Sequence, residues 1–247
     1  IARQKTTRTL YAESLEQSGA LTPAETQDIS QAYQRQMEEA FAASSAFKPD
    51  KADWLEGQWK GLEASQNTDR NGDSGAPESL LKEVGKQLCA VPETFHLNSK
   101  IRRQLDAKEK MIDSGTGIDW ATAEALAFGS LVAEGNPVRL SGQDSGRGTF
   151  SQRHAVLYDQ TSEEKYIPLM HVRENQARFE VIDSPLAELA VLGFDYGYST
   201  ADPRALVCWE AQFGDFVNGA QIIIDQFIAS AQTKWLRLSG LVMLLPH

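Results

Sequence analysis

Cysteine is nearly absent: the 247 residues contain only Cys89 and Cys208, far apart in sequence, with Cys208 inside an apolar run. This excludes a disulfide framework or a cysteine-based metal site, and both residues read as reduced, buried thiols of a cytoplasmic or mitochondrial-matrix protein. Long hydrophobic runs are missing too. The most apolar stretch, Leu241–Pro246, is far shorter than the roughly 18 residues a membrane-spanning helix needs, so a membrane span is excluded. Positive charge is in short supply: 24 Lys and Arg face 34 Asp and Glu, a formal charge of −10. Such a surface is not built to neutralise phosphate backbones, which argues against nucleic acid as a partner. The chain opens on Ile1 without a methionine, a signal-like apolar region or an arginine-rich presequence, and closes on Leu244–His247 within a strand-like run. It reads as a piece of a longer protein, truncated at both ends.

What is present is enough for a globular core, since 41% of the residues are hydrophobic. The first third reads as helices joined by polar linkers. Thr22-Pro23-Ala24-Glu25 forms a capping box with proline at the first helical position, and a polar, alanine-rich helix to about Ala43 follows. From Phe47 to Ser79 the composition turns to Lys, Asp, Gly, Asn and Ser around Trp54 and Trp59, a loop region pinned by two aromatics. Further helices are predicted from about Leu80 to Val91 and from Pro92 to Met111.

From Ile118 the rhythm alternates. Asp119 caps a predicted helix ended by Gly135, and Val138–Leu140 reads as a strand entering the glycine-rich Ser141–Gly148. Further strands are predicted at Ala155–Tyr158, Phe179–Ile182, Ala205–Trp209 and Leu241–Leu245, with helices at Pro185–Tyr198 and Phe216–Ala229. Strands separated by helices of this length imply an α/β fold with a mainly parallel sheet flanked by helices. Ligands bind such sheets at the carboxyl ends of strands, and Ser141–Gly148 and Trp209–Phe216 are both exits of that kind.

One carboxylate is conspicuous. Glu188 lies in the first turn of an apolar helix, after Asp183 or Ser184 as cap and Pro185 as first helical residue, among Leu186, Leu189, Val191 and Leu192. Either it is a solvated acid favoured by the helix dipole, or it is kept for a hydrogen bond that needs it. Composition and spacing leave both open. Other motifs weigh less. Asp69–Gly75 resembles the opening of a calcium loop, but Ser74 stands where glycine is needed and Leu80 where glutamate is needed, so it reads as a surface loop. Gly142–Phe150 matches neither the phosphate loop nor the dinucleotide pattern and reads as a tight turn, with Arg153 and His154 close by. Asp215 reads as a helix cap. His96, in a predicted helix, and His171, in a loop, lack partners at metal-ligand spacing.

Long strings of residues carry a specific resemblance. Asp119-Trp120-Ala121-Thr122-Ala123-Glu124, Arg139 through Phe150 to Arg153-His154, Trp209 through Phe216 with Asn218-Gly219-Ala220-Gln221, and Gly240–His247 resemble the thiamine-diphosphate-dependent first component of the 2-oxoglutarate dehydrogenase complex. The resemblance spans essentially the whole chain. It implies that residues 118–247 are a transketolase-like pyrimidine-binding domain, incomplete at its C-terminus, and residues 1–117 a helical linker segment before it. It implies oxidative decarboxylation of 2-oxoglutarate in the tricarboxylic acid cycle, with succinyl transfer to the lipoyl arm of a dihydrolipoamide succinyltransferase. Glu188 falls on the cofactor-activating glutamate, whose hydrogen bond to the pyrimidine ring prepares the cofactor, and desolvation by Leu186 and Leu189 should raise its proton affinity. Phe216 matches the aromatic that stacks on the aminopyrimidine. Phe213, Gln212 and Leu186 line the same pocket, Asp144 resembles an acid near the thiazolium, and Arg153 and His154 fall on the substrate side. No residue of this chain is implied as a metal ligand: the magnesium motif belongs before Ile1, and another histidine a few residues beyond His247. Family members are homodimers with the cofactor at the interface, so this piece alone is expected to be inactive. A 2-oxoadipate-specific paralogue and a non-catalytic module of the same fold are the competing readings.

Overall fold

Every residue of Val138–Gly142, β1, is buried, as expected of a strand covered on both faces and paired on both edges. In the computed structural model, which describes residues 3–48, 57–62 and 74–247, β1 is flanked by β4 (Phe179–Asp183) and β5 (Leu206–Glu210), and β6 (Val242–Leu244) adds to β5. The order is β4-β1-β5-β6 and every pairing is parallel. Their carboxyl ends line up: Gly142 is level with Asp183 on one side and Glu210 on the other, and Glu210 with Leu244.

Alternation along β1 feeds two different environments. Val138 and Leu140 enter a core shared with α3 (Glu78–Cys89) and α5 (Trp120–Ala133). Arg139 and Ser141 point the other way, to α6 (Glu188–Ala201), where Asp195 accepts Arg139 Nε at 2.9 Å and the Ser141 hydroxyl, and Glu180 of β4 accepts Arg139 Nη1 at 2.9 Å. A second core, centred on Val191, Leu192 and Trp209, lies on this α6 side. Asp119 does cap α5, accepting the Thr122 N–H at 2.7 Å. α3 and α5 approach closely at Gly129, where a Cβ would lie 2.2 Å from Val84. Cys89 and Cys208 are buried and free, and burial pushes their thiols up to about 11 and about 12.

The chain divides into two compact units, Ile1–Glu56 and Gly57–His247. The first holds α1 (Thr7–Gln17) and α2 (Pro23–Ser44), the latter opened by the predicted capping box: Glu25 N–H donates to Thr22 Oγ1 and Thr22 N–H to Glu25 Oε2. In the second, Trp59 pins its segment by donating Nε1–H to the Thr200 carbonyl at 2.7 Å. Trp54 and Asp69–Asp73 lie outside the described residues.

Several expectations are corrected. The third helix does not start at Pro92: residues 90–98 are non-helical, so His96 is not on a helix, and α4 (Ser99–Ser114) starts after Asn98, whose side chain accepts the Lys100 N–H. Ala155–Tyr158 does not join the parallel sheet. Only Leu157–Tyr158, β2, is extended, and it pairs antiparallel with Lys165–Tyr166, β3. Asp159 immediately after it folds the connection back by accepting the N–H groups of Thr161 and Ser162. The helix expected over Phe216–Ala229 is broken into a 3-10 stretch Gly214–Ala220, one α turn Gln221–Ile223 and a π turn Ile224–Ile228, with Gly214 and Gly219 in its first part. Asp215 sits inside that 3-10 stretch rather than capping it.

Candidate active site at the carboxyl ends of the strands

Four chain segments leave the aligned strand ends together: residues 143–148 after β1, 184–188 after β4, 211–216 after β5 and 245–247 after β6. Backbone hydrogen bonds lace them. Ser184 N–H donates to the Gly142 carbonyl and Gly214 N–H to that of Pro246, each at 2.7 Å, and Ala211 N–H to that of Leu244 at 3.0 Å.

Glu188 is the first residue of α6, following Ala187, and not the fourth of a helix begun at Pro185. The expected cap is engaged elsewhere: Asp183 Oδ1 accepts the Gly146 N–H at 2.8 Å, and Ser184 Oγ accepts the Leu186 N–H at 3.3 Å. The helix begins on Glu188 itself. That residue heads the stripe that continues through the buried Val191, Leu192, Asp195 and Ser199, so its side chain belongs to the inward face of α6 at its open end. There Gln143 Nε2 approaches Glu188 Oε1 and the Leu186 carbonyl, both at 3.4 Å. Gly219 lies on the other flank, where a Cβ would sit in ordinary contact, 3.4 Å from Glu188 Oε2. A narrow cleft lined by Gly142, Gln143, Leu186, Glu188 and Gln212 results, beside an open recess of about 470 Å³ that shares Gln143 and Gln212 and adds Asp144, Asp183 and Pro185. Leu186 and Leu189 are 56% and 46% exposed, so within this chain they do not supply the desolvation expected of them.

Phe216 lies in the 3-10 stretch that also carries Gly219, and the residue is 42% exposed. Phe213 braces it edge-on at 5.9 Å and also meets Phe150 and His247 at 6.2 and 5.8 Å. Gln212 donates from Nε2 to Asp144 Oδ2 at 3.1 Å, while its carbonyl accepts Thr149 Oγ1–H at 2.6 Å. Asp144 is also paired with Arg147 at 2.8 Å. Glu188, Leu186 and Gln212 thus line the cleft and Asp144 with Gln212 the adjoining recess, with Phe213 and Phe216 on the same post-β5 segment.

Residues 116–247 match the family described as transketolase, pyrimidine binding domain. The chain belongs to that family. It is also similar along its whole length to the 2-oxoglutarate dehydrogenase E1 components of Brucella anthropi, Brucella canis and Brucella ovis, at 55% identity over 249 residues in each case. The chain spans about a quarter of the length of these curated relatives.

Within this pyrimidine-binding domain, Arg153 and His154 stand apart from the opening. Arg153 is buried and paired with Glu124 and Glu210 rather than facing a ligand. His154 is half-buried with a left-handed backbone, φ +50°, and its buried Nε2 has no hydrogen-bond partner among the described residues. Burial, then the nearby Lys108 charge, push its pKa down, so it favours the neutral imidazole. Sequence reasoning missed Gln143, because one polar residue in a glycine-rich turn carries no periodic signal. The signal available was its place directly after a strand end. Among the described residues, no group of three or more His, Cys, Asp or Glu side chains is placed to hold a metal ion, and no helix is long and apolar enough to cross a membrane.

Proposed function

We propose that this chain is the part of a thiamine-diphosphate-dependent 2-oxoglutarate dehydrogenase that holds the aminopyrimidine end of the cofactor. The observation that carries the reading is Glu188 at the head of the inward stripe of α6, next to the segment that bears Phe216. An aminopyrimidine needs a flat apolar face and a carboxylate at its edge, and Phe216 and Glu188 are of those two kinds, with Gly219 of the Phe216 segment packed beside the Glu188 carboxylate. When bound, thiamine diphosphate supplies a nucleophilic carbon and an electron sink for decarboxylation. Glu188 would hold and return a proton at its carboxylate oxygens, Gln143 would orient that carboxylate, and the Phe216 ring would give the pyrimidine an apolar face. The family likeness and the names of the relatives support thiamine diphosphate and 2-oxoglutarate over 2-oxoadipate or a non-catalytic module.

We take residues 118–247 as the pyrimidine-binding domain and 1–117 as the helical segment before it. Magnesium and its ligands are assigned to polypeptide outside this chain. The partners are a second copy, giving a homodimer, and the lipoyl-bearing succinyltransferase. The exposed Leu186, Leu189, Phe194 and Ile222 support a covered face around α6. Glu188→Ala in the full-length protein tests the reading: decarboxylation of 2-oxoglutarate is expected to fall at least about 100-fold. Near-normal turnover with stoichiometric cofactor would remove Glu188 from its role.

A further inference from the structure

Arg153 spends its hydrogen-bonding capacity entirely inside the protein. Nε donates to Glu124 Oε1 at 2.6 Å, Nη1 to the Ser145 carbonyl at 2.9 Å and to Glu210 Oε1 at 2.8 Å, and Nη2 to Glu124 Oε2 at 3.0 Å and to Glu210 Oε2. A guanidinium has five N–H groups, and five acceptors are accounted for. None is left for a substrate. Burial opposes the charge, but the hydrogen bonds that Arg153 donates to Glu210 and Glu124 outweigh it and hold the pKa above that of an ordinary arginine, so the clamp stays charged.

The acceptors lie on separate elements. Glu124 is on α5, Glu210 is the last residue of β5, and Ser145 is in the turn after β1. The Arg153 carbonyl in turn accepts Lys108 Nζ–H from α4 at 3.1 Å. The turn and the residues after it hold unusual backbone: φ is +151° at Gly142, +60° at Asp144 and +80° at Gly148 within the turn, and +53° at Ser151 and +50° at His154 on either side of Arg153. Left-handed backbone at non-glycine residues persists only where the surroundings over-determine it. The same turn carries the side chains that reach the opening, with Gln143 against Glu188 and Asp144 against Gln212.

We infer that Arg153 is a positioning residue of the site: by tying the 142–148 turn to the end of β5 and to α5, it sets the register in which Gln143 meets Glu188 and Asp144 meets Gln212. The inference rests on the cofactor reading given above. It predicts that lysine is a poor replacement, since a point charge with three donors cannot bridge two carboxylates and a carbonyl in one plane.

The test uses the full-length enzyme and three measurements: thermal unfolding, thiamine diphosphate binding by calorimetry, and kcat and KM for 2-oxoglutarate. Arg153→Lys is expected to remain folded, bind thiamine diphosphate about tenfold more weakly and lose about tenfold in kcat, with KM for the oxo acid within about twofold. If Arg153 works through the turn, Arg153→Lys combined with Gln143→Ala costs less than the product of the two single losses. Parental cofactor affinity and kcat in folded Arg153→Lys, or strictly multiplicative losses in the double variant, overturns the inference. Where Arg153→Lys does not fold, Glu124→Gln carries the same measurements, because it loosens the α5 anchor without touching the turn or β5. Weaker cofactor binding is expected from it, and parental binding overturns the inference. A parent enzyme that binds no thiamine diphosphate removes the cofactor reading and this inference with it, whereas a parent that binds it beside an unaffected Arg153→Lys removes the inference alone.

Discussion

Gly142 approaches the Glu210 carbonyl so closely that a Cβ at position 142 would lie 2.1 Å from that oxygen. The contact joins the ends of β1 and β5 at the level from which the turn and the post-β5 segment set out, and it brings Gln143 and Gln212 to the same opening. Gly142 also has φ +151°, which disfavours any side chain. Gly142→Ala is therefore expected to destabilise the protein by about 3 kcal/mol, from the clash and the backbone strain together. Urea unfolding checks this, and a change below about 0.5 kcal/mol would show that β1 and β5 can separate at their ends without cost.

Asp195 secures α6 to β1. It is fully buried, accepts Arg139 Nε at 2.9 Å and the Ser141 hydroxyl, and lies two turns after Glu188 on the same stripe. Removing one partner of a buried pair leaves an uncompensated charge, so Asp195→Ala is expected to cost about 3 kcal/mol, with Glu180 still pairing Arg139. Replacing the pair by apolar residues, Asp195→Leu with Arg139→Met, should recover most of that loss. Denaturant titration of both variants distinguishes a buried-charge effect from a packing effect: equal losses would point to packing.

Asp159 links the segment before α4 to the β2–β3 connection. The N–H groups of Ser162, His96 and Thr161 hold its carboxyl down at about 2. The sign follows from linkage. An unfolded aspartate titrates near about 4, so the stabilisation is fully present above that value and fades as pH falls through the folded value. Asp159→Asn is expected to melt lower than the parent at neutral pH, with the gap closing between about pH 4 and about pH 2. Thermal melts across that range provide the check, and a gap independent of pH would mean that the carboxylate charge does not matter.

Sequence alone determined the features that depend on neighbouring residues. The capping box at Thr22, the Asp119 cap and the apolar runs that became β1, β4, β5 and β6 are local patterns, and each was legible because a cap or a buried strand is specified within a few residues. The glycine-rich turn and the post-β5 aromatics were also legible as strand exits, and the residue strings carried the family resemblance.

Tertiary structure decided what depends on groups far apart in the chain. Asp183 looked like a cap for α6, but Gly146, 37 residues away, takes its carboxylate, and the helix starts later, with Glu188 on its inward face. Arg153 looked like a free cation near a turn, yet Glu124 and Glu210, 29 and 57 residues distant, absorb it. Ala155–Tyr158 had the composition of a sheet strand, and only its Leu157–Tyr158 half became one arm of a short hairpin. A side chain's hydrogen-bonding capacity is finite, and which distant acceptors claim it is settled only when the strands align and the helices pack across them.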